Sequence, residues 1–210
     1  MTENDHAKKP YHHGALKAAL IAAGIEILDA RGLEALSLRA IAAHVGVSHT
    51  APKNHFGSLK GLLTAIAATG FRRHAAFMRQ GVQGDDPKAR QRAAMQGYLR
   101  FAQAHPHLFR LMFSPAQCAF DDPELMAAAR ESYAVLAAIA EGLVWDKSDA
   151  PQAGRRAELM LWSLVHGYAL LSLTGMAAGT GPLLQIDEIM PDFDYAPRTP
   201  NRADSTIMSP

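Results

Sequence analysis

The 210 residues include one cysteine, Cys118, so no disulfide can form within the chain and an apolar core must hold the fold. Net charge is equally sparse at +1, which by itself points neither to nucleic acid nor to a membrane surface. No nucleophile stands beside a base, no carboxylate pair is spaced for acid–base work, and no phosphate-binding glycine loop or thiol cluster is present. An enzyme is not expected, nor is a cofactor. The opening MTENDHAKKP lacks the apolar run of a secretion signal, and the expected location is the cytoplasm. His12 and His13 are adjacent, point about 100° apart on a helix, and make a poor metal pair. Alternating apolar spacing is missing, so no strands are expected.

Helical periodicity is what the chain has, and the stretch 37–56, SLRAIAAHVGVSHTAPKNHF, organises the rest. Leu38, Ile41, Ala42 and Val45 form one apolar face, with Ser37 placed to cap the helix start. Gly46 can take the left-handed conformation that stops a helix, and Val47 can tuck back beneath it. Ser48 is then read as a second cap, opening a helix to Phe56 of about 8 residues, or about 12 Å. That is the width of a DNA major groove. His49, Thr50, Lys53, Asn54 and His55 all form hydrogen bonds, and no acid stands among them to repel phosphate. Pro52 falls in the first turn, where a missing N–H is tolerated. Two short helices and a glycine turn make a helix-turn-helix, although the same unit also occurs purely as packing. The alternative is a helical small-molecule or lipid-binding protein in which this motif is structural.

Further helices follow the same periodicity. Leu16, Ala19, Leu20, Ala23 and Ile27 line a first helix that Arg31-Gly32 closes. Ser58 caps a fourth, with Leu59, Leu62, Leu63 and Ile66 inward; its continuation through Phe71, Ala75 and Met78 makes a lever of about 20 residues and roughly 30 Å. Gly81 and the QGDDP run end it. Asp86-Pro87 opens a helix with Met95, Tyr98, Leu99 and Ala102 inside, and PHLFRLMF is a short one ending at Ser114-Pro115. Asp122-Pro123 starts another, striped by Leu125, Ala129, Ser132, Leu136, Ile139 and Leu143. DKSDAPQ, residues 146–152, reads as a linker. Residues 159–178 are apolar enough to raise a membrane span, but Ser163, His166, Ser172 and Thr174 interrupt them and no basic cluster follows. A helix buried on all sides, partly by a second copy, is expected instead. Residues 1–10 are expected to be a disordered arm and residues 191–210, rich in proline, a disordered tail. Residues 1–110 carry 15 Lys and Arg against 7 acids, and 111–210 carry 6 against 13, which suits a chain presenting its first half to DNA.

The runs YHHGALKAALIAAGIEIL, LSLRAIAAHVGVS and NHFGSLKGLL resemble the N-terminal domain of the TetR family of bacterial transcriptional regulators. That resemblance implies an all-α fold of about nine helices, with a three-helix helix-turn-helix head at 11–57 and a larger ligand-binding and dimerisation bundle at 58–190. It also implies double-stranded DNA as partner, touched by Lys9, Tyr11, Ser37, Arg39, Ser48, His49, Thr50, Ala51, Lys53, Asn54, His55 and Lys60. Lys53 departs from the tyrosine usual there, and Asn54 from a position often basic; Lys53 can keep a phosphate contact as a point charge. Trp162, His166 and Gly167, with the FRLMFSP run, resemble a subgroup with a W-x3-H-G signature in its regulatory domain. The expected protein is a homodimer paired through its C-terminal helices, a repressor on a palindromic operator, answering to a hydrophobic small-molecule effector. Tyr98, Phe109, Met112, Met126, Tyr133, Trp162 and His166 are the candidate effector contacts, and the same residue types on apolar faces equally suit a packed core.

Overall fold

The computed structural model describes residues 13–144, 152–182 and 184–196. Among these are nine α-helices: α1 (His13–Arg31), α2 (Leu38–Val45), α3 (Ala51–Phe56), α4 (Leu59–Arg79), α5 (Pro87–Ala104), α6 (Pro106–Met112), α7 (Pro123–Ala140), α8 (Ala153–Leu173) and α9 (Ile186–Ile189). The fold is all-α, as the periodicity predicts, except for one short antiparallel pair of β1 (Leu143–Val144) and β2 (Asp194–Tyr195). The expectation of no strands is corrected here, because two residues are too few to show alternation. Ala196 N–H donates to the Gly142 carbonyl at 2.7 Å and Phe193 is buried, so residues 191–196 pack where proline content predicts a loose tail. The rest of that tail, the arm at 1–10 and residues 146–151 of the linker lie outside the described residues.

The described chain forms two compact units. The first holds the residues up to Arg73 together with His105–Arg130, and the second holds His74–Ala104 with the residues from Glu131 onward. Helices α4 and α7 therefore contribute to both, and α6, placed by sequence in the larger bundle, clusters with the head.

Close helix approach explains that grouping. In the first unit a Cβ at Gly70 of α4 would stand 2.7 Å from Met112 Sδ of α6, so glycine lets these helices pack closely without moving that side chain. Gly24 of α1 likewise admits Ile66, whose Cδ1 would be 2.5 Å from an added Cβ. His105, at the start of α6, bonds through Nδ1 to Asp29 Oδ2 of α1 at 2.7 Å. Leu20, Ile27, Leu28, Ile41, Leu62 and Leu108 are fully buried between these elements, the largest free-energy contribution to the unit.

In the second unit Gly97 of α5 crosses α4 so closely that a Cβ there would lie 2.2 Å from the Phe77 carbonyl oxygen. Helix α8 buries Ala157, Leu161, Val165 and Ala169, spaced by four, and leaves Leu159, Leu170 and Leu171 exposed. It starts before the apolar run at 159–178 and ends inside it, because Gly175 turns the chain at φ 72°. Among the described residues no helix is long and apolar enough to cross a membrane.

Candidate functional site

Local bonds set the geometry of the helix-turn-helix. Ser37 is extended, and its Oγ accepts Ala40 N–H at 3.0 Å, capping α2 as expected. Gly46 is left-handed (φ 75°, ψ 34°), and Val47 N–H then donates back to the Ala42 carbonyl at 3.0 Å. α3 departs from expectation, since it begins at Ala51 rather than Ser48 and has 6 residues, about 9 Å. Pro52 has no N–H to give the Ser48 carbonyl, the bond a helix starting at Ser48 requires, and Ala51 N–H takes that carbonyl in a tighter turn at 2.9 Å. Ser48 Oγ bonds Thr50 Oγ1 at 2.9 Å instead of capping a helix. Pro52 itself is buried, so it packs as well as being tolerated. At the other end Gly57 closes on the Lys53 carbonyl at 2.8 Å, and Ser58 Oγ accepts Gly61 N–H at 3.0 Å. A Cβ at Gly61 would lie 2.1 Å from the Phe56 carbonyl oxygen, so the joint of α3 and α4 requires glycine there.

The resulting surface is polar and presented to solvent. Arg39, Ser48, His49, Thr50, Lys53, Asn54 and Lys60 are exposed, while Ala51 and His55 are half-buried. Ser37 is exposed, but its hydroxyl is already spent on the cap. Among the described residues no side-chain hydrogen bond or ion pair engages His49, Lys53 or Asn54. Lys9 and Tyr11 lie outside the described residues.

A different arrangement occupies the second unit. Trp162 and His166, one turn apart on α8, both face Tyr98 of α5: Tyr98 Oη lies 2.8 Å from His166 Nδ1, and the Trp162 ring stands 6.4 Å from that imidazole. Burial holds the His166 pKa below its ordinary value and pushes that of Tyr98 well up, the Trp162 side chain opposing in part, so both stay uncharged near neutral pH. Tyr133 stands edge-on to Trp162 at 5.6 Å and donates to Glu158 Oε2 at 2.5 Å, and Arg155 reaches both Tyr133 and Glu158. Burial first, then the bond to Glu158, pushes the Tyr133 phenol up to about 12. Behind Tyr98, the ring of His74 on α4 lies edge-on at 4.2 Å and its Nδ1 meets Ser132 Oγ at 2.8 Å. Burial, helped by the nearby His166, lowers the His74 pKa to about 3.

The structure thus brings together Tyr98, Tyr133, Trp162 and His166 from the sequence-derived effector contacts. Phe109 and Met112 are instead fully buried in the first unit, where Phe109 meets Phe113 edge-on at 5.2 Å, and Met126 belongs to that unit too. Phe109 and Met112 are core, with Met112 of α6 lying against Gly70 of α4 in the same unit. Sequence reasoning missed His74, Glu158 and Arg155, and treated Ser132 only as part of a stripe. A signal existed for His74, a polar residue interrupting the apolar face of α4 between Phe71 and Ala75. Cys118 is buried with its S–H toward the Leu111 carbonyl at 3.5 Å, and burial pushes the thiol up to about 11.

Two family profiles match the chain: that of bacterial regulatory proteins of the tetR family over residues 20–66, and that of the tetracyclin repressor-like C-terminal domain over residues 91–189. An uncharacterized HTH-type transcriptional regulator of Mycobacterium tuberculosis is 26% identical over 163 residues, 76% of this chain and 71% of that protein. A protein of unknown function from Rhodococcus sp. RHA1 is 31% identical, with a TM-score of 0.67 over 86% of this chain and 92% of its own. The Streptomyces coelicolor TetR family protein ActR, in complex with (S)-DNPA, shares the fold at 18% identity, with a TM-score of 0.55 over 82% of this chain and 77% of its own.

Proposed function

Since the chain belongs to the TetR family of bacterial DNA-binding transcriptional regulators, we propose that it is a ligand-responsive repressor that binds a palindromic operator as a homodimer. The observation that carries this reading is α3 with the turn before it, a segment fixed at both ends by backbone bonds while the exposed His49 of the turn and Lys53 and Asn54 of the helix stay uncommitted. Lys53 takes a phosphate, and His49 and Asn54 take base edges. Lys53→Ala is expected to weaken binding to every duplex and to lower the slope of log affinity against log salt by about one unit. His49→Ala and Asn54→Ala should instead change the preference among sequences. If all three variants bind a footprinted operator as the parent does, α3 is not the reading helix.

The exposed leucines of α8, Leu159, Leu170 and Leu171, support pairing of two copies through this helix. Pairing sets two recognition helices about 34 Å apart, one turn of DNA. Leu170→Asp is expected to yield monomer by light scattering, because it places an unpaired charge in the paired surface. A parent protein that is monomeric at high micromolar concentration overturns this part of the reading.

The effector is a largely apolar small molecule oriented by one or two hydrogen bonds at the Tyr98 cluster, with His166 or Tyr133 as partner. Trp162, His166 and Gly167 accordingly fit the W-x3-H-G subgroup, their spacing placing indole and imidazole beside the same phenol. A ligand that favours a different set of α4 changes the separation of the reading helices, and linkage then requires it to bind the operator complex about 5 to 150-fold more weakly than the free dimer.

A further inference from the structure

A groove in the second unit, between the end of α4, the start of α5 and α7, combines two arginines with an aliphatic lining. Arg79 and Arg90 face it together with Val82, Val135, Ala138 and Ile139, and no acidic residue lines it. Arg79 is committed, its guanidinium 3.0 Å from Glu131. Arg90 is half-buried and, among the described residues, has neither an ion pair nor a side-chain hydrogen bond. A half-buried guanidinium that makes no ion pair keeps its donors available, and its planar fork matches a carboxylate. Beyond Arg90 an adjoining cleft holds Asp85, Glu141 and Tyr195, whose hydroxyl donates to the Ile139 carbonyl at 3.2 Å. Arg90, Ala138 and Ile139 line both clefts, while Arg79, Val82 and Val135 face only the groove without acids. None of Tyr98, Trp162 and His166 lines either cleft.

We propose that this groove is a second small-molecule site, separate from the Tyr98 cluster and selective for an amphipathic carboxylate, with Arg90 holding the carboxylate and the tail lying along Val135, Ala138 and Ile139. Charge complementarity selects this occupant: a neutral tail gains only the aliphatic surface, and a cation meets two arginines.

Calorimetric titration of the full chain with octanoate and with octan-1-ol, at one ionic strength, tests this. Octanoate is expected to bind, and octanol about tenfold more weakly, the worth of a charge-assisted bond. Arg90→Met should bring octanoate down to the octanol level while leaving octanol unchanged. Ala138→Trp, at an exposed position, should fill the groove and abolish both, and His166→Ala should alter neither. Circular dichroism checks that each variant is folded. Absence of saturable octanoate binding, equal binding of the two probes, or octanoate binding that survives Arg90→Met or Ala138→Trp overturns the proposal. Loss of octanoate in His166→Ala overturns it as well, by moving the ligand to the Tyr98 cluster.

Discussion

Helix α3 with the turn at 48–50 before it and the Tyr98 cluster use the same kinds of side chain, histidine, hydroxyl and cation, under opposite conditions. On α3 the polar groups face water, and what positions them is backbone: the left-handed Gly46, the turn at Ser48 and the close of Gly57 on Lys53. In the cluster the side chains position one another, Tyr98 on His166 and His74 on Ser132, with little water to substitute for a lost partner. An exposed group can therefore change with little effect on folding, and a buried one cannot.

The largest expected effects test the backbone in each unit. Gly61→Ala and Gly97→Ala each drive a Cβ to about 2 Å from a carbonyl oxygen, of Phe56 and Phe77 respectively. Each should lower the urea midpoint by the equivalent of about 3 kcal/mol or more. Tolerance of either within about 1 kcal/mol would mean those helices slide, and the contrast with a rigid frame would fail. Tyr98→Phe comes next. It removes the buried oxygen that bonds His166, and should destabilise by about 1–3 kcal/mol. His49→Ala, its exposed counterpart, should stay within about 0.5 kcal/mol. Similar values for the two in urea melts would erase the distinction.

The smallest effect near neutrality concerns protons. His74 titrates near 3 in the fold against an ordinary 6.5, so between those values the unfolded chain binds the extra proton. Stability should be fully present above pH 6.5 and fall as pH drops toward 3, by up to about 1.4 kcal/mol per pH unit. His166, lowered by burial, adds in the same direction. Melts from pH 7 to 4 should show a shallower slope in His74→Gln, and an unchanged slope would assign the acid sensitivity elsewhere.

Legibility followed the range of the interactions. Ser37, Gly46 and Ser58 were readable because caps act within a turn of the residue that makes them. The late start of α3 was missed although it too is local, since the proline acts by withholding a bond from a carbonyl four residues back. Tyr98 and His166 lie 68 residues apart, His105 and Asp29 76, and nothing in helical periodicity pairs them. Phe109 and Met112 were legible as apolar, but not as belonging to the first unit, which depends on Gly70 admitting α6. The resemblance named Trp162 and His166; only the fold shows that they converge on one phenol.

The single thiol, out of solvent and protonated until about pH 11, makes the protein a clean background for site-directed labelling. A maleimide at neutral pH will find only a cysteine introduced elsewhere, such as at position 54, without removal of the native one. In a dimer one such substitution installs two labels at once, and a spin–spin distance between them reads the separation of the α3 helices directly, with and without a ligand in the tube.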